Sequence, residues 1–416
     1  MKFHSNAQRI QTDIEALARF TSTPGHGVTR FSFSHEDYQA REYIKARMLE
    51  SHLAVYEDAA GTVFGRREGM VKNAPVVMVG SHFDSVKNGG AFDGPAGVVA
   101  GLEIARVLKE NGISTQYPLA FIAMIEEEGG RFGSGLFGSR AMAGKVEIDE
   151  LNNSRDDMGV NLASAMKEFG LDPDNINAAI QAPQQIKAFI ELHIEQGPIL
   201  EHDGIDVGLV ETIVGIDQWE VVITGRPDHA GTTPMNMRAD ALVAATDIIM
   251  QVNLLAIAAG AGTVATVGKM QVSPGAGNIV PGRVAFTIDI RSSDKDKIYL
   301  ISESVKQAVE KLPSKYNGIV SQLTPRLSIA PVQLSPGILK LMETEGRFCG
   351  ISTKRMLSGA GHDAMVMAGL TEVGLIFVPS RNGRSHSPEE WTDYRQLSQG
   401  VDLALRTILQ LAEIVD

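Results

Sequence analysis

His82 and Asp93 stand eleven positions apart in Gly80–Gly97, GSHFDSVKNGGAFDGPAG. A neutral imidazole and a carboxylate are ligand types that zinc and other borderline divalent cations accept. The apolar run Val76–Val79 ahead of His82 reads as a buried strand, and the Gly-Pro after Asp93 opens an amphipathic segment. Gly89, Gly90 and Gly94 let the backbone turn so that both side chains can reach one point. Taken alone, the loop fits either a polar turn or half of a metal site. Leu119–Ile125 is a second continuous apolar run, and it ends in Glu126-Glu127-Glu128-Gly129-Gly130. Three adjacent carboxylates repel one another unless cations share the space. A charge run is commonly a solvated turn. Here it falls at the same sheet edge as His82 and Asp93, where α/β proteins bind ligands, and that favours function. Arg131 and Arg140 follow in a glycine-rich loop and are expected to support the acids by ion pairing. In Ala188–Glu195, AFIELHIE, strand alternation sends Ile190, Leu192 and Ile194 to the core and His193 to the other face.

The elements that must position these groups alternate between strand and helix. Helical spacing is present at Ile10, Ile14 and Leu17. A helix is expected from an N-cap at Ser34 to about Leu53, and others over Pro95–Lys109, Gly337–Phe348 and Tyr394–Ile414. Strands are expected near Thr62–Arg66, Val76–Val79, Leu119–Ile125, Ala188–Glu195 and Val373–Val378. Buried strands joined through helices imply a parallel sheet covered on both faces. Between residues 213 and 329 the order changes to strand Trp219–Thr224, helix Arg238–Leu254, strands Thr263–Val272 and Arg283–Arg291, helix Lys295–Leu312 and strand Ile319–Leu327. That β-α-β-β-α-β order is a ferredoxin-like, split βαβ unit. The expected division is therefore one domain over residues 1–212 and 330–416, interrupted by an inserted α+β domain over 213–329. The insert carries Asp228-His229-Ala230-Gly231-Thr232-Thr233-Pro234, Asn278 in a Gly-Asn-Ile-Val-Pro-Gly turn, and Arg291 at a strand end.

Composition bounds the remaining classes. The 416 residues are 44% hydrophobic and 21% charged, which is ordinary for a globular protein with ample core. A formal net charge of −12 argues against nonspecific binding to nucleic acid or anionic membrane. The single cysteine, Cys349, excludes an intrachain disulfide framework and cysteine-rich zinc sites, so a metal must be held by His and carboxylate. The first residues lack the apolar core of a signal peptide, and no run reads as long and apolar enough to span a bilayer. A cytoplasmic location is the expectation.

The clusters stand in a fixed order: GSHFDSV, NGGAFDGPAG, EEEGGRF, ELHIEQG, HAGTTPM, NIVPG, SGAGHDA and GRSHSPEE. Together they resemble the amidohydrolases that cleave N-carbamoyl amides: L-carbamoylases, allantoate amidohydrolases and yeast-type β-ureidopropionases, in the dinuclear-metal aminoacylase–carboxypeptidase superfamily. The resemblance spans essentially the whole chain. It implies two divalent metal ions per subunit, with zinc, manganese, cobalt or nickel all compatible. His82, Asp93 and His193 would hold one, and Asp93, Glu128 and His386 the other, with Asp93 bridging. Glu127 would be the general base. Gln196, His229, Asn278, Arg291 and Gly359 match substrate-contacting positions, and His229 would stabilise the oxyanion. The insert would form a homodimer interface and a lid, and its histidine would reach the partner's active site. The implied substrate is a small ureido compound bearing a carboxylate. The histidine of ELHIEQG argues against an aminoacylase or dipeptidase. Asp217 stands where many relatives carry a basic residue, and an acid there is expected to alter a pocket for a second ureido arm. Gly130 replaces a commoner serine.

Overall fold

The computed structural model describes residues 3–415. The chain forms two compact units, one of Met1–Glu211, Leu334–Met356 and Gly361–Asp416, the other of Thr212–Gln333 and Leu357–Ala360. The tetrapeptide at 357–360 groups with the second unit although it lies well past the insert in sequence.

The first unit is built on a mixed sheet. Its strands run in the order Ala54–Glu57, Val63–Arg67, Leu119–Met124, Val76–His82, Ile186–Ile194, Glu372–Val378 and Val207–Ile213. The inner strands are parallel: Val76–His82 pairs with Leu119–Met124 and with Ile186–Ile194, which pairs with Glu372–Val378. The outer pairings with Val63–Arg67 and Val207–Ile213 are antiparallel. Val76–His82 and Leu119–Met124 are buried at every residue, because helices cover both faces and leave no solvent side for polar alternation. The helices Ala7–Ala18, Pro95–Glu110 and Tyr394–Leu411 supply much of that cover. In the last of them Leu397, Val401, Leu405 and Ile408 recur at helical spacing and are fully buried. Ser34 caps its helix by accepting from Asp37 N, and Asn6 caps the first helix. Parallel register brings the C-terminal ends of several strands to one edge. His82 pairs with Met124, two residues before the acidic run, and His193 pairs with Phe377.

The second unit has an antiparallel sheet ordered Met270–Ser273, Arg283–Ser292, Gly215–Thr224, Val320–Ile329, with Thr263–Thr266 also paired to Arg283–Ser292. The helices Ala241–Ala259 and Lys295–Lys315 bury Ile248, Val252, Ile301 and Val305 in its core. The run read as one strand over Thr263–Val272 is two short strands separated by residues 267–269.

The helix read as Arg238–Leu254 is Ala241–Ala259, capped by Asp240. Shifted this way it loses Arg238 and Asp240, and its 19 residues are long and apolar enough to cross a membrane by length and composition. In this unit one face of it is core, with Ala241, Ala244, Ala245 and Ile248 buried. Asp217 does not reach into a groove. It is buried, and accepts from Trp219 Nε1 (3.0 Å) and from Ser302 Oγ on the helix side of the sheet. Strand alternation puts Gln218 on the open face instead.

Candidate functional site

The site in the first unit is assembled where the parallel strands end. His82 is the last residue of its strand and is 1% exposed. Gly94, at φ +79°, starts the next helix directly over its ring; a Cβ there would lie 2.3 Å from His82 Cε1. Only glycine satisfies both demands. His82 Nδ1 donates to Asp84 O (3.2 Å) and His193 Nδ1 donates to Ile194 O (2.8 Å). In the neutral rings, therefore, both Nε2 atoms keep their lone pairs. Both point at one carboxylate: Asp93 Oδ1 lies 3.6 Å from His82 Nε2 and 3.1 Å from His193 Nε2. The other oxygen, Asp93 Oδ2, lies 3.2 Å from His386 Nε2, which is 3.4 Å from Glu128 Oε2. Asp93 thus belongs to two ligand-like groups, His82–Asp93–His193 and Asp93–Glu128–His386. The first is buried; the second is open at His386, whose side chain is half exposed. Glu127 Oε2 approaches His82 Nε2 at 3.7 Å.

The donors fit a divalent cation. His193 Nε2 is fully buried yet has no hydrogen-bond partner, an arrangement that costs free energy unless a ligand takes the lone pair. Burial, opposed by His82 and reinforced by Glu128 and Asp363, raises Glu127 well above the usual carboxylate range. Burial and Asp93 raise Glu128 to about 7. His386 is pushed up to about 9 by its contact with Asp93, against the effect of burial, with Glu128 adding to it. For Asp93 burial acts upward, but His193, His386 and His82 outweigh it and hold the carboxyl well below its ordinary value. Excess negative charge in a dry site is what bound cations relieve. Three residues here are left-handed without being glycine: Glu126 (φ 52°), Gln196 (φ 57°) and His386 (φ 54°). Such backbone costs about 1–3 kcal/mol each and gathers where function fixes it.

Gln196 is brought to the same place, its Nε2 donating to Asp93 Oδ2 at 2.7 Å while its Oε1 is buried without a partner. The arginines expected to support the acids do not. Arg131 pairs with Asp156 (3.2 Å) and the carbonyls of Ser32 and Phe33, and Arg140 pairs with Glu150. Their guanidiniums anchor the loop rather than the acids. Glu126 also turns away, accepting from Phe132 N at 3.0 Å.

Sequence reasoning missed four residues. Asp84 accepts from Glu127 N (3.0 Å) and Glu128 N (3.2 Å), so it aims the acidic run; the His82-Phe83-Asp84 spacing was its only signal. Glu390 accepts from the backbone of the Asp93 loop. His362 packs 4.5 Å from His193, ring centroid to centroid, and Asp363 accepts from Ser139 Oγ at 2.6 Å; both stand in SGAGHDA.

His229, Asn278, Arg291 and Gly359 lie in the second unit. His229 and Asn278 are brought together by a bridge between His229 and Ile279, with Ala230 N donating to Asn278 O (2.9 Å). Gly231 N donates to His229 Nδ1 (3.0 Å), so the neutral ring carries its proton on Nε2, as a donor. Arg291 is already engaged. Its Nε and Nη2 donate to Asp289 (2.8 and 3.2 Å), and its Nη1 to Gly359 O (2.7 Å). Gln218 Nε2 donates to the same Asp289 at 2.8 Å. This ladder lines a cavity of about 530 Å³ with Thr266, Thr287 and Arg326.

An α/β sheet ending in a buried His/Asp/His group beside an acidic turn defines a protein with a centre able to hold divalent cations. The chain belongs to peptidase family M20/M25/M40, whose profile matches residues 78–410. It is 46% identical to an N-carbamoyl-L-amino-acid amidohydrolase of Paenarthrobacter aurescens over 98% of each chain. It is 35% identical to an allantoate amidohydrolase of Bacillus subtilis over 96% of each. Among solved structures, a hydantoinase/carbamoylase family amidase from Burkholderia multivorans superposes with a TM-score of 0.92 at 32% identity, over 99% of both chains.

Proposed function

We propose that the protein hydrolyses the ureido C–N bond of an N-carbamoyl-L-amino acid, releasing the amino acid, carbon dioxide and ammonia. The observation that carries this reading is Asp93, whose two oxygens face two separate sets of ligand atoms. The relative of 46% identity narrows the chemistry to N-carbamoyl amino acids. The B. subtilis relative makes allantoate the second reading, with 3-ureidopropionate in the same class. An aminoacylase or dipeptidase ranks below both.

In this reading His82, Asp93 and His193 hold one cation, and Asp93, Glu128 and His386 a second. Zinc, manganese, cobalt and nickel all suit these donors. When bound, such cations supply Lewis acidity, activating water and polarising the ureido carbonyl. Glu127 takes a proton from the attacking water on its carboxylate and returns it to the leaving nitrogen. The partner subunit's His229 donates through Nε2 to the developing oxyanion. Arg291 receives the substrate carboxylate beside Asn278. Because Asp289 occupies the Nε/Nη2 edge, that contact is made by the end-on Nη1/Nη2 edge. Gln196 and the exposed Gly359 backbone complete the substrate contacts. Carbamate, the first product of the cleaved group, breaks down to carbon dioxide and ammonia.

We also place residues 213–329 as an inserted dimerisation and lid domain between catalytic segments 1–212 and 330–416. The solvent-facing stripe of the Ala241–Ala259 helix supports a homodimer: Val243, Met250, Leu254 and Ile257 are 46–69% exposed. Light scattering should give twice the chain mass; a monomer defeats that part. The composition suits a reducing, cytoplasmic setting. The decisive experiment is ammonia release from a panel of N-carbamoyl amino acids, allantoate and acyl amino acids after metal reconstitution. Ammonia from N-carbamoyl-L-amino acids is the expected result. None from any ureido compound overturns the reading.

A further inference from the structure

Glu390 is 4% exposed and lies 297 residues from Asp93 in sequence. Its Oε1 accepts from Phe92 N (2.8 Å) and Asp93 N (3.0 Å), and its Oε2 accepts from Ser385 Oγ (2.8 Å). Ser385 Oγ is also 2.8 Å from Asp93 Oδ2, and Ser385 directly precedes His386. One hydroxyl carries one proton and cannot donate to both carboxylates at once. Gln196 Nε2 supplies Asp93 Oδ2 with a second donor at 2.7 Å. Gly90 is bare of a side chain where Glu390 needs room: a Cβ there would lie 2.1 Å from Glu390 Cδ and Oε1. One buried carboxylate therefore ties together the two segments that carry Asp93 and His386, and the backbone has been left open to admit it.

We propose that Glu390 is a positioning residue that fixes Asp93 and His386 relative to each other, so that the Asp93–Glu128–His386 group is preformed for a divalent cation. This deepens the function proposed above and rests on it. Partners of this kind orient metal ligands, and their loss typically weakens metal affinity by about 10- to 100-fold. Glu390→Gln keeps an oxygen that accepts from Phe92 and Asp93. Its amide can donate to Ser385 Oγ, which frees the hydroxyl proton for Asp93. Glu390→Ala removes the carboxylate's three hydrogen bonds and leaves the Ser385 hydroxyl on Asp93 as the one direct contact of Ser385 with Asp93.

The test titrates the full-length protein with Zn²⁺ against a chromophoric chelator and follows melting by circular dichroism. In the wild type two equivalents should bind. In Glu390→Ala the second equivalent should weaken by about 10- to 100-fold, and Glu390→Gln should stay close to wild type. Gly90→Ala should resemble Glu390→Ala, because the new methyl displaces the same carboxylate. If Glu390→Ala does not fold, Ser385→Ala, which cuts only the hydroxyl link, should show a smaller loss in the same direction. Wild type that binds two ions, with Glu390→Ala and Ser385→Ala both unchanged in affinity, overturns the positioning role alone. Wild type that binds no Zn²⁺ overturns this proposal and the proposed function together.

Discussion

The two sets of candidate residues differ most in what surrounds them. His82, Asp93 and His193 are 1–4% exposed, and their geometry is set by strand ends, a left-handed glycine and backbone carbonyls. His229, Asn278 and Gly359 are exposed, and Arg291 is half-buried with its charge already paired. The first set carries its desolvation cost at all times, and only the close opposite charges within the cluster outweigh it, holding Asp93 below and His82 and His193 above their ordinary values. The second set sits in or near water, where polar side chains cost little to maintain and gain strength only when a ligand excludes solvent. A buried centre is thus recognisable from unsatisfied charge, whereas an exposed recognition surface carries no such mark. Substitutions should follow that division: losses in turnover and metal retention in the first unit, losses in substrate affinity in the second.

The largest effect is expected from Glu127→Gln. It removes the proton acceptor and keeps the shape, so kcat should fall by about 10²- to 10⁴-fold, while metal content measured by atomic absorption is unchanged. Retained turnover would remove Glu127 as the base and blur the line between the two sets.

Metal removal probes the same buried charge. Burial first, and neighbouring carboxylates after it, raise Glu126, Glu128 and Asp363 to about 7, whereas contact with Asp93 raises His386 to about 9 against burial. In each case the folded state binds more protons than the unfolded one over the window between the ordinary and the shifted value. Stability therefore falls as pH rises through 7 for the acids and on through 9 for His386. Asp93, shifted the other way, acts only at low pH. Chelated protein should melt at a lower temperature at pH 9 than at pH 6, and added Zn²⁺ should narrow the gap by balancing the exposed negative charge. A chelated protein equally stable at both pH values would mean that the cluster is solvated after all.

Much of the first unit was legible because its ligand types fall at the ends of continuous apolar runs, where strand period and sheet edge fix their direction. His82 after Val76–Val79 and Glu126–Glu128 after Leu119–Ile125 are the clear instances. Asp84 and Glu390 were not legible as positioning groups because they accept from backbone N–H groups, which have no sequence signature, and Glu390 reaches across 297 residues. Asp217 was misdirected because its neighbour Trp219 offers an indole donor two residues on, which holds the carboxylate on the helix side. The helix after Asp240 was misjudged by a shift of a few residues at each end, which was enough to change its charge count. In the second unit the β-α-β-β-α-β order was visible from periodicity, but the pairing of Arg291 with Asp289 was not; i, i+2 neighbours on a strand share a face without having to touch.

On the affinity side, Arg291→Ala removes a charge-assisted contact to the substrate carboxylate. It should lower kcat/KM by about 1.5–3 kcal/mol, chiefly through KM. An uncharged ureido analogue should be spared. Equal losses on both substrates would assign Arg291 to folding of the second unit instead.

The smallest effect, and the finest discrimination, belongs to Asp289→Ala. Asp289 holds the Nε/Nη2 edge of Arg291 and accepts from Gln218. Two consequences of its loss oppose each other. Removing a negative charge next to the substrate carboxylate favours binding, and releasing the guanidinium to rotate disfavours it. The pair is about half buried, and exposed or partly exposed ion pairs contribute about 0–1 kcal/mol. Gly359 O alone, with one contact, cannot fix the plane of the fork, so loss of orientation should win. KM should rise a few-fold with kcat unchanged. A fall in KM would mean that charge repulsion from Asp289 outweighs the order it imposes. Arg291 would then be oriented by the substrate, and the second unit would be even less preorganised than its exposure implies.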